Sequence, residues 1–144
     1  MKKHVPLLAF IMLFSASAAQ ASDNTCLEKA QNQAQLTECA AVALKAADSD
    51  LNALYRRMQD RVKDDSSTRT LLIDAQRKWL SFRDAECNFT AVRSAGGSIH
   101  AMDVNSCLAD LTRSRVRELQ IHLDCSKGAG EQDAMQCAMP RAGR

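Results

Sequence analysis

The sequence predicts an all-α protein, a small antiparallel three- to four-helix bundle stapled by disulfides. Apolar residues recur at steps of three and four through most of residues 37–123, and no segment alternates apolar and polar residues as a half-buried strand would. Six cysteines are spread through 144 residues without a single C-x-x-C. A chain of this length, 46% hydrophobic and only 4% aromatic, builds one core and not two.

The elements follow in chain order. Residues 1–21 carry Lys2 and Lys3, an apolar run from Val5 to Phe14 and small residues ending in Ala19-Gln20-Ala21, the layout of a cleavable secretory signal. The run is too short for a membrane span of roughly 20 residues, and no cysteine follows it directly to take a lipid. The expected organisation is therefore a signal over 1–21, a helical domain over 22–123 and an irregular tail over 124–144. Cys26 to Gln33 reads as a short, weakly amphipathic helix that needs a tether. From Thr37 to Lys63, the stripe Ala40, Ala43, Leu44, Ala47, Leu51, Leu54, Tyr55, Met58 and Val62 predicts one long helix with Thr37 as its N-cap. Asp64-Asp65-Ser66-Ser67 breaks it, and a second stripe of Leu71, Leu72, Ala75, Trp79, Phe82, Glu86 and Phe89 predicts an antiparallel partner packed along that stripe. Trp79 is expected as a core anchor. Ser94-Ala95-Gly96-Gly97-Ser98 ends this helix, and a third runs from Met102 to Leu123, capped by Ser98 or Asp103. The tail is rich in Gly and Ala with little periodicity.

An even number of cysteines in a small exported domain predicts disulfides, not metal or redox chemistry. Cys125 lies 18 residues beyond Cys107, about 27 Å along a helix, against roughly 4.4–6.8 Å between bridged Cα atoms. It should pair with Cys137. Of the 15 pairings open to six cysteines three then survive, since an up-down-up bundle brings Cys39, Cys87 and Cys107 to one end; Cys26–Cys39, which ties the weak leading helix to the long one, and Cys87–Cys107, which closes the loop with the glycine break, are favoured. Each closure contributes roughly 3 kcal/mol by restricting the unfolded chain.

Charge removes several functions. Without Lys2 and Lys3, 17 Lys+Arg face 17 Asp+Glu, so a basic surface for nucleic acid or anionic membrane is not expected. Arg56, Arg57 and Arg61, then Arg113, Arg115 and Arg117, read as solvated faces balanced by Asp60, Asp110 and Glu118. No catalytic residue, cofactor or metal site is predicted: there is no G-x-S-x-G elbow, no phosphate-cradling glycine motif, and Asp84 and Glu86 lie two apart on a helix, pointing different ways. Glu86 is expected to pair with Arg83. What stands out is the loop from Ala91 to Met102, tethered at its base by a disulfide and carrying Arg93, Ser98 and His100. A tethered loop is already ordered before a partner arrives, which favours binding.

Four sequence blocks carry a family resemblance. Leu36-Thr37-Glu38-Cys39-Ala40; Ala47-Asp48 with Leu51-Asn52 and Tyr55; Ala75-Gln76-Arg77-Lys78-Trp79-Leu80 with Phe82-Arg83-Asp84 and Glu86-Cys87; and Gly96-Gly97-Ser98 with Cys107-Leu108, Leu111-Thr112 and Arg115 together resemble the LprI-like lysozyme inhibitor family. The resemblance covers roughly residues 26–123 and leaves out the tail with Cys125 and Cys137. It implies a helical domain of the bacterial envelope, periplasmic or secreted, whose partner is lysozyme or another peptidoglycan hydrolase. No family residue with an inhibitory role carries over, so Arg93, Ser98 and His100 are expected at the partner's cleft from tethering and residue type alone. Two other readings of the same domain are an immunity protein against a delivered cell-wall hydrolase and a structural module of the envelope.

Overall fold

A computed structural model describes residues 25–127 and 130–141; the expected signal over 1–21 lies outside the described residues. The architecture is all-helical, with successive helices antiparallel and three disulfides. After a helical turn at residues 25–29 come α1 (Gln33–Arg61), α2 (Ser66–Thr90), a 3-10 turn (Ala91–Ser94), α3 (His100–Asp124) and the four-residue α4 (Glu131–Ala134). Among the described residues no helix is long and apolar enough to cross a membrane.

The long helix starts four residues earlier than the sequence reading placed it. Asn32 is the N-cap, its side chain accepting from Gln35 N–H at 3.0 Å, while the Gln35 side chain accepts from Gln31 N–H at 2.6 Å. The first bond satisfies a donor that a helix start leaves open, and the second fixes the residue that leads into the cap. Thr37, the expected cap, sits inside the helix and donates its hydroxyl to the Gln33 carbonyl at 3.0 Å. Asp65 caps α2 by accepting from Thr68 N–H, and these bonds hold its carboxyl below the usual range. Neither Ser98 nor Asp103 caps α3. Ile99 occupies that position without a side-chain bond, and Asp103 lies in the first turn, where a negative charge complements the helix dipole.

The closest helix pair is α1 with α3, which run parallel side by side. At one end Gln33 Nε2 reaches Met102 Sδ at 3.5 Å; at the other, Arg61 Nη1 donates to the Leu123 carbonyl at 2.9 Å. Small buried residues explain the close approach: Ala40, Ala43 and Ala47 on α1, Ala109 and Thr112 on α3. Bulk enters toward the C-terminal ends, where Leu51, Leu54, Met58, Val62, Leu119 and Leu123 form the core, flanked by Leu72, Trp79 and Val116. The described residues of the tail are joined to the bundle. Cys125–Cys137, with Cα atoms 5.8 Å apart, brings Met139 into that core at 1% exposure. At Asp124, where α3 ends, bonds from Lys127 and Gln120 hold the carboxyl below its ordinary range.

The second helix departs from expectation. Of its predicted stripe, Leu72 and Trp79 turn toward the core, whereas Leu71, Phe82 and Phe89 stand exposed, and the buried positions are Gln76 and Cys87. The reason is what α2 packs against. Large side chains and polar pairs bridge it to α1 and α3, so its inward face carries Leu72, Gln76, Trp79 and Arg83, while Leu71, Phe82 and Phe89 fall on a neighbouring face.

Candidate functional site

Two disulfides fix the end of the bundle opposite the bulky core. Cys26–Cys39 ties the leading helical turn to α1, and Cys87–Cys107 ties the end of α2 to α3, with Cα separations of 5.7 and 5.5 Å. The favoured pairings are therefore the ones formed. Where the alanine-lined half of α1 offers little bulk, covalent closure supplies restraint that packing does not.

The loop springs from this tether. Cys87 is completely buried and Ala91 nearly so. Thr90 Oγ1 donates to the Cys87 carbonyl at 3.2 Å, and Ser94 Oγ donates to the Ala91 carbonyl at 2.9 Å, so the 3-10 turn is held by side chains as well as backbone. Gly96 then takes φ +78°, a conformation that suits glycine. A Cβ on Gly97 would meet the Ser94 carbonyl at 3.1 Å, and Gly97 N–H donates to that same carbonyl at 2.9 Å. The two glycines thus permit a turn tight enough to start α3 at His100.

All three predicted contact residues lie in this segment, in different settings. Arg93 and Ser98 are exposed. His100 is half-buried at the start of α3, its Nδ1 3.3 Å from Ser94 Oγ. Sequence reasoning missed the apolar part of the surface: Val92 and Ile99 are exposed beside Arg93, and Phe89 is exposed at the loop's base. The signal was present for Val92 and Ile99, two large apolar residues flanking a glycine turn, but Phe89 kept step with the helical stripe and so read as core.

Behind the loop lies a polar clamp across three helices. Arg83 Nη1 donates to Asp48 Oδ1 at 2.9 Å and to Thr112 Oγ1 at 3.0 Å, while its Nε and Nη2 reach Asp84 Oδ1 at 2.9 Å. The expected Glu86–Arg83 pair is replaced by these. On the next turn Arg115 donates to Gln76 Oε1 at 3.3 Å and to Glu118 Oε2 at 3.0 Å. Both guanidinium carbons lie near the Trp79 ring, 5.5 and 5.7 Å from its centroid, within range of cation–π attraction. Every polar atom of the clamp named here has a partner, and no nucleophile–base pair is assembled in it. Its chemistry is positional: it sets α2 against α1 and α3. Among the described residues no group of three or more His, Cys, Asp or Glu side chains could hold a metal ion.

Comparison with known proteins adds the family. Residues 26–119 match the family described as Lysozyme inhibitor LprI. The chain belongs to the LprI lysozyme inhibitor family. It is also 34% identical over 132 residues to an uncharacterized protein of Rhizobium meliloti (strain 1021), a similarity that takes in 83% of this chain and 94% of that relative. No solved structure matches. The LprI match spans both tethering disulfides, the clamp and the loop, and stops before the Cys125–Cys137 tail. Asp48, Gln76, Trp79, Arg83, Thr112 and Arg115, which carry the sequence resemblance, are the clamp itself. Other residues of the pattern, among them Ala75, Arg77, Lys78 and Phe82, stand exposed on α2, so the LprI pattern in this chain takes in both scaffold and surface.

Proposed function

We propose that the protein is an exported inhibitor of lysozyme or a related peptidoglycan hydrolase, acting by inserting its tethered loop into the enzyme's cleft. The observation that carries this reading is the LprI family match over residues 26–119. Three disulfides suit an oxidising compartment such as the periplasm or the exterior. The action is binding, with no bond made or broken by this chain.

The loop's composition supports its role as the inserted element. Lysozyme-type hydrolysis depends on two carboxyl groups in a cleft, so an occluding segment needs donors or positive charge and must bring no acid of its own. Between residues 91 and 102 there is no Asp or Glu, while Arg93, Ser98 and His100 provide a cation and hydrogen-bonding groups. Val92 and Ile99 stand exposed among them and suit the apolar walls of a ligand cleft. Because Cys87–Cys107 and the Ser94 bonds already order the segment, little conformational freedom is lost on docking.

Turbidity clearing of a cell-wall suspension by chicken-type, goose-type and invertebrate-type lysozymes, with and without the oxidised protein, tests the activity. At least one class should be slowed, and protein carrying Arg93→Ala, Ser98→Ala and His100→Ala together should slow it less. No effect on any lysozyme or cell-wall hydrolase would sink the inhibitor reading. Full inhibition by the triple variant would leave the activity and remove the loop assignment.

A further inference from the structure

A second face of α2 is left open by every described part of the chain. Leu71, Phe82 and Phe89 are 68%, 54% and 72% exposed. They are separated by 11 and 7 residues, which at about 100° per residue keeps them within about 20° of one line along the helix. Ala75, Lys78 and Ala85, all exposed, fill the intervals. The result is a stripe about 27 Å long, running in alternate steps of four and three. Of the nine large apolar residues exposed among the described residues, four belong to α2 or to the turn that continues it, so the exposure is concentrated and not scattered. The two phenylalanines and the leucine alone present on the order of 350 Å² of apolar surface, as much as the largest patch of an ordinary monomer.

The order of side chains says what covers it. Taken outward from residue 80, the stripe pairs a cation with an aromatic ring, Lys78 with Phe82, at the centre, then alanine with alanine, Ala75 with Ala85, and apolar with apolar, Leu71 with Phe89, at the ends. A surface that is its own complement is what a two-fold contact requires. With two copies of α2 antiparallel about residue 80, Leu71 of one meets Phe89 of the other, and the two alanines face each other and allow close approach. Lys78 lies against the ring of Phe82, a cation–π pairing. Lys78 keeps its own counter-ion, Asp74, at 2.8 Å. On the flank, Asp74 of one copy comes opposite Asn88 of the other, and Ser81 opposite Ser81, so no like charges are opposed.

We propose that this stripe is the contact face of a symmetric antiparallel dimer, its occupant a second copy of this chain. The arrangement leaves the two loops of residues 91–99 at opposite ends, both free to engage a partner. The contact is small beside the roughly 800 Å² per partner of a standard interface, so association falls in the micromolar range.

Sedimentation equilibrium of the oxidised processed chain tests this, with near-ultraviolet circular dichroism to establish that each variant is folded. The wild-type mass should double as concentration rises from about 1 to about 100 µM. Phe82→Lys sets lysine against lysine across the axis and should remain monomeric over that range; so should the double variant Lys78→Glu with Phe82→Glu, which sets glutamate against glutamate. An equimolar mixture of the two should regain the dimer, because each lysine then meets a glutamate. A wild type monomeric throughout, a dimer indifferent to Phe82→Lys, or a mixture that stays monomeric would each overturn the proposal. If the wild type is monomeric and Phe82→Lys abolishes lysozyme inhibition, the stripe is the hydrolase contact and the second-copy proposal fails while the inhibitor reading stands.

Discussion

Arg83 illustrates how one side chain can hold three helices. Its side chain is only 12% exposed, its donors reach Asp48 on α1, Thr112 on α3 and Asp84 on its own helix, and its guanidinium lies by Trp79. Truncation leaves Thr112 buried without that donor and Asp48 without its cation. Arg83→Ala should therefore lower stability by about 2–3 kcal/mol, less than a fully buried pair because Asp48 is 40% exposed. Arg83→Lys keeps the charge but not the planar fork, and should recover only part of the loss. Urea midpoints measure both, and the near-ultraviolet dichroism of Trp79 should change with the alanine variant if the clamp orients its ring. The sequence made Trp79 legible as an anchor, because a lone tryptophan on a helical stripe belongs in a core. It did not reveal Arg83 as its neighbour. An arginine beside Asp84 and three residues from Glu86 has local partners on offer, and only the fold brings Asp48 within reach.

At the scale of elements, α1 was legible almost completely because its stripe is unambiguous: alanines for close approach, then leucines and methionine for bulk. Its start was misplaced because Asn32 and Thr37 both have cap chemistry and only Asn32 has Gln35 three residues on. Helix rise made only Cys125–Cys137 legible; it left three arrangements of the other four cysteines open, and the two bridges formed are those that tether the weak leading turn and close the glycine loop. For α2, periodicity identified a helix but not its inward face, since two adjacent stripes share Leu and Phe spacing and polar partners decide between them. The cap of α2 makes a pH prediction. Asp65 is held below its ordinary value of 3.8, chiefly by its bonds from Thr68. A depressed carboxylate stabilises the fold fully above its unfolded value and loses that contribution as pH falls through the lower, folded value. Asp65→Ala should thus be less stable than wild type at neutral pH, and the gap between their urea midpoints should close below pH 3.8. A gap that persists unchanged into strong acid would contradict the capping role.

The described bundle has two unlike ends. One holds the bulky core and is closed by Met139 from the disulfide-bound tail; the other buries mainly small residues, is twice cross-linked, and bears the loop. That division leaves the loop end free of large buried side chains, so its shape depends on covalent and polar restraint. Beyond residue 21 the chain balances 17 basic against 17 acidic residues, which offers little long-range attraction toward a cationic hydrolase. Association should accordingly proceed at an ordinary rate, about 10⁵–10⁷ M⁻¹s⁻¹, and change little between low and physiological salt. Stopped-flow association across that range checks it, and a steep fall with salt would point to a charged contact patch instead of the loop.

Competition at the cleft tests the central claim most directly. A short oligomer of N-acetylglucosamine occupies a lysozyme's cleft, and titration calorimetry of the protein into whichever lysozyme the turbidity assay finds slowed, with and without saturating oligomer, reads whether the two can bind together. Occlusion by the loop predicts that the oligomer abolishes or strongly weakens binding of the protein, in proportion to its occupancy. Unchanged affinity in the presence of saturating oligomer would mean that both sit on the enzyme at once, and that the loop does not enter the cleft.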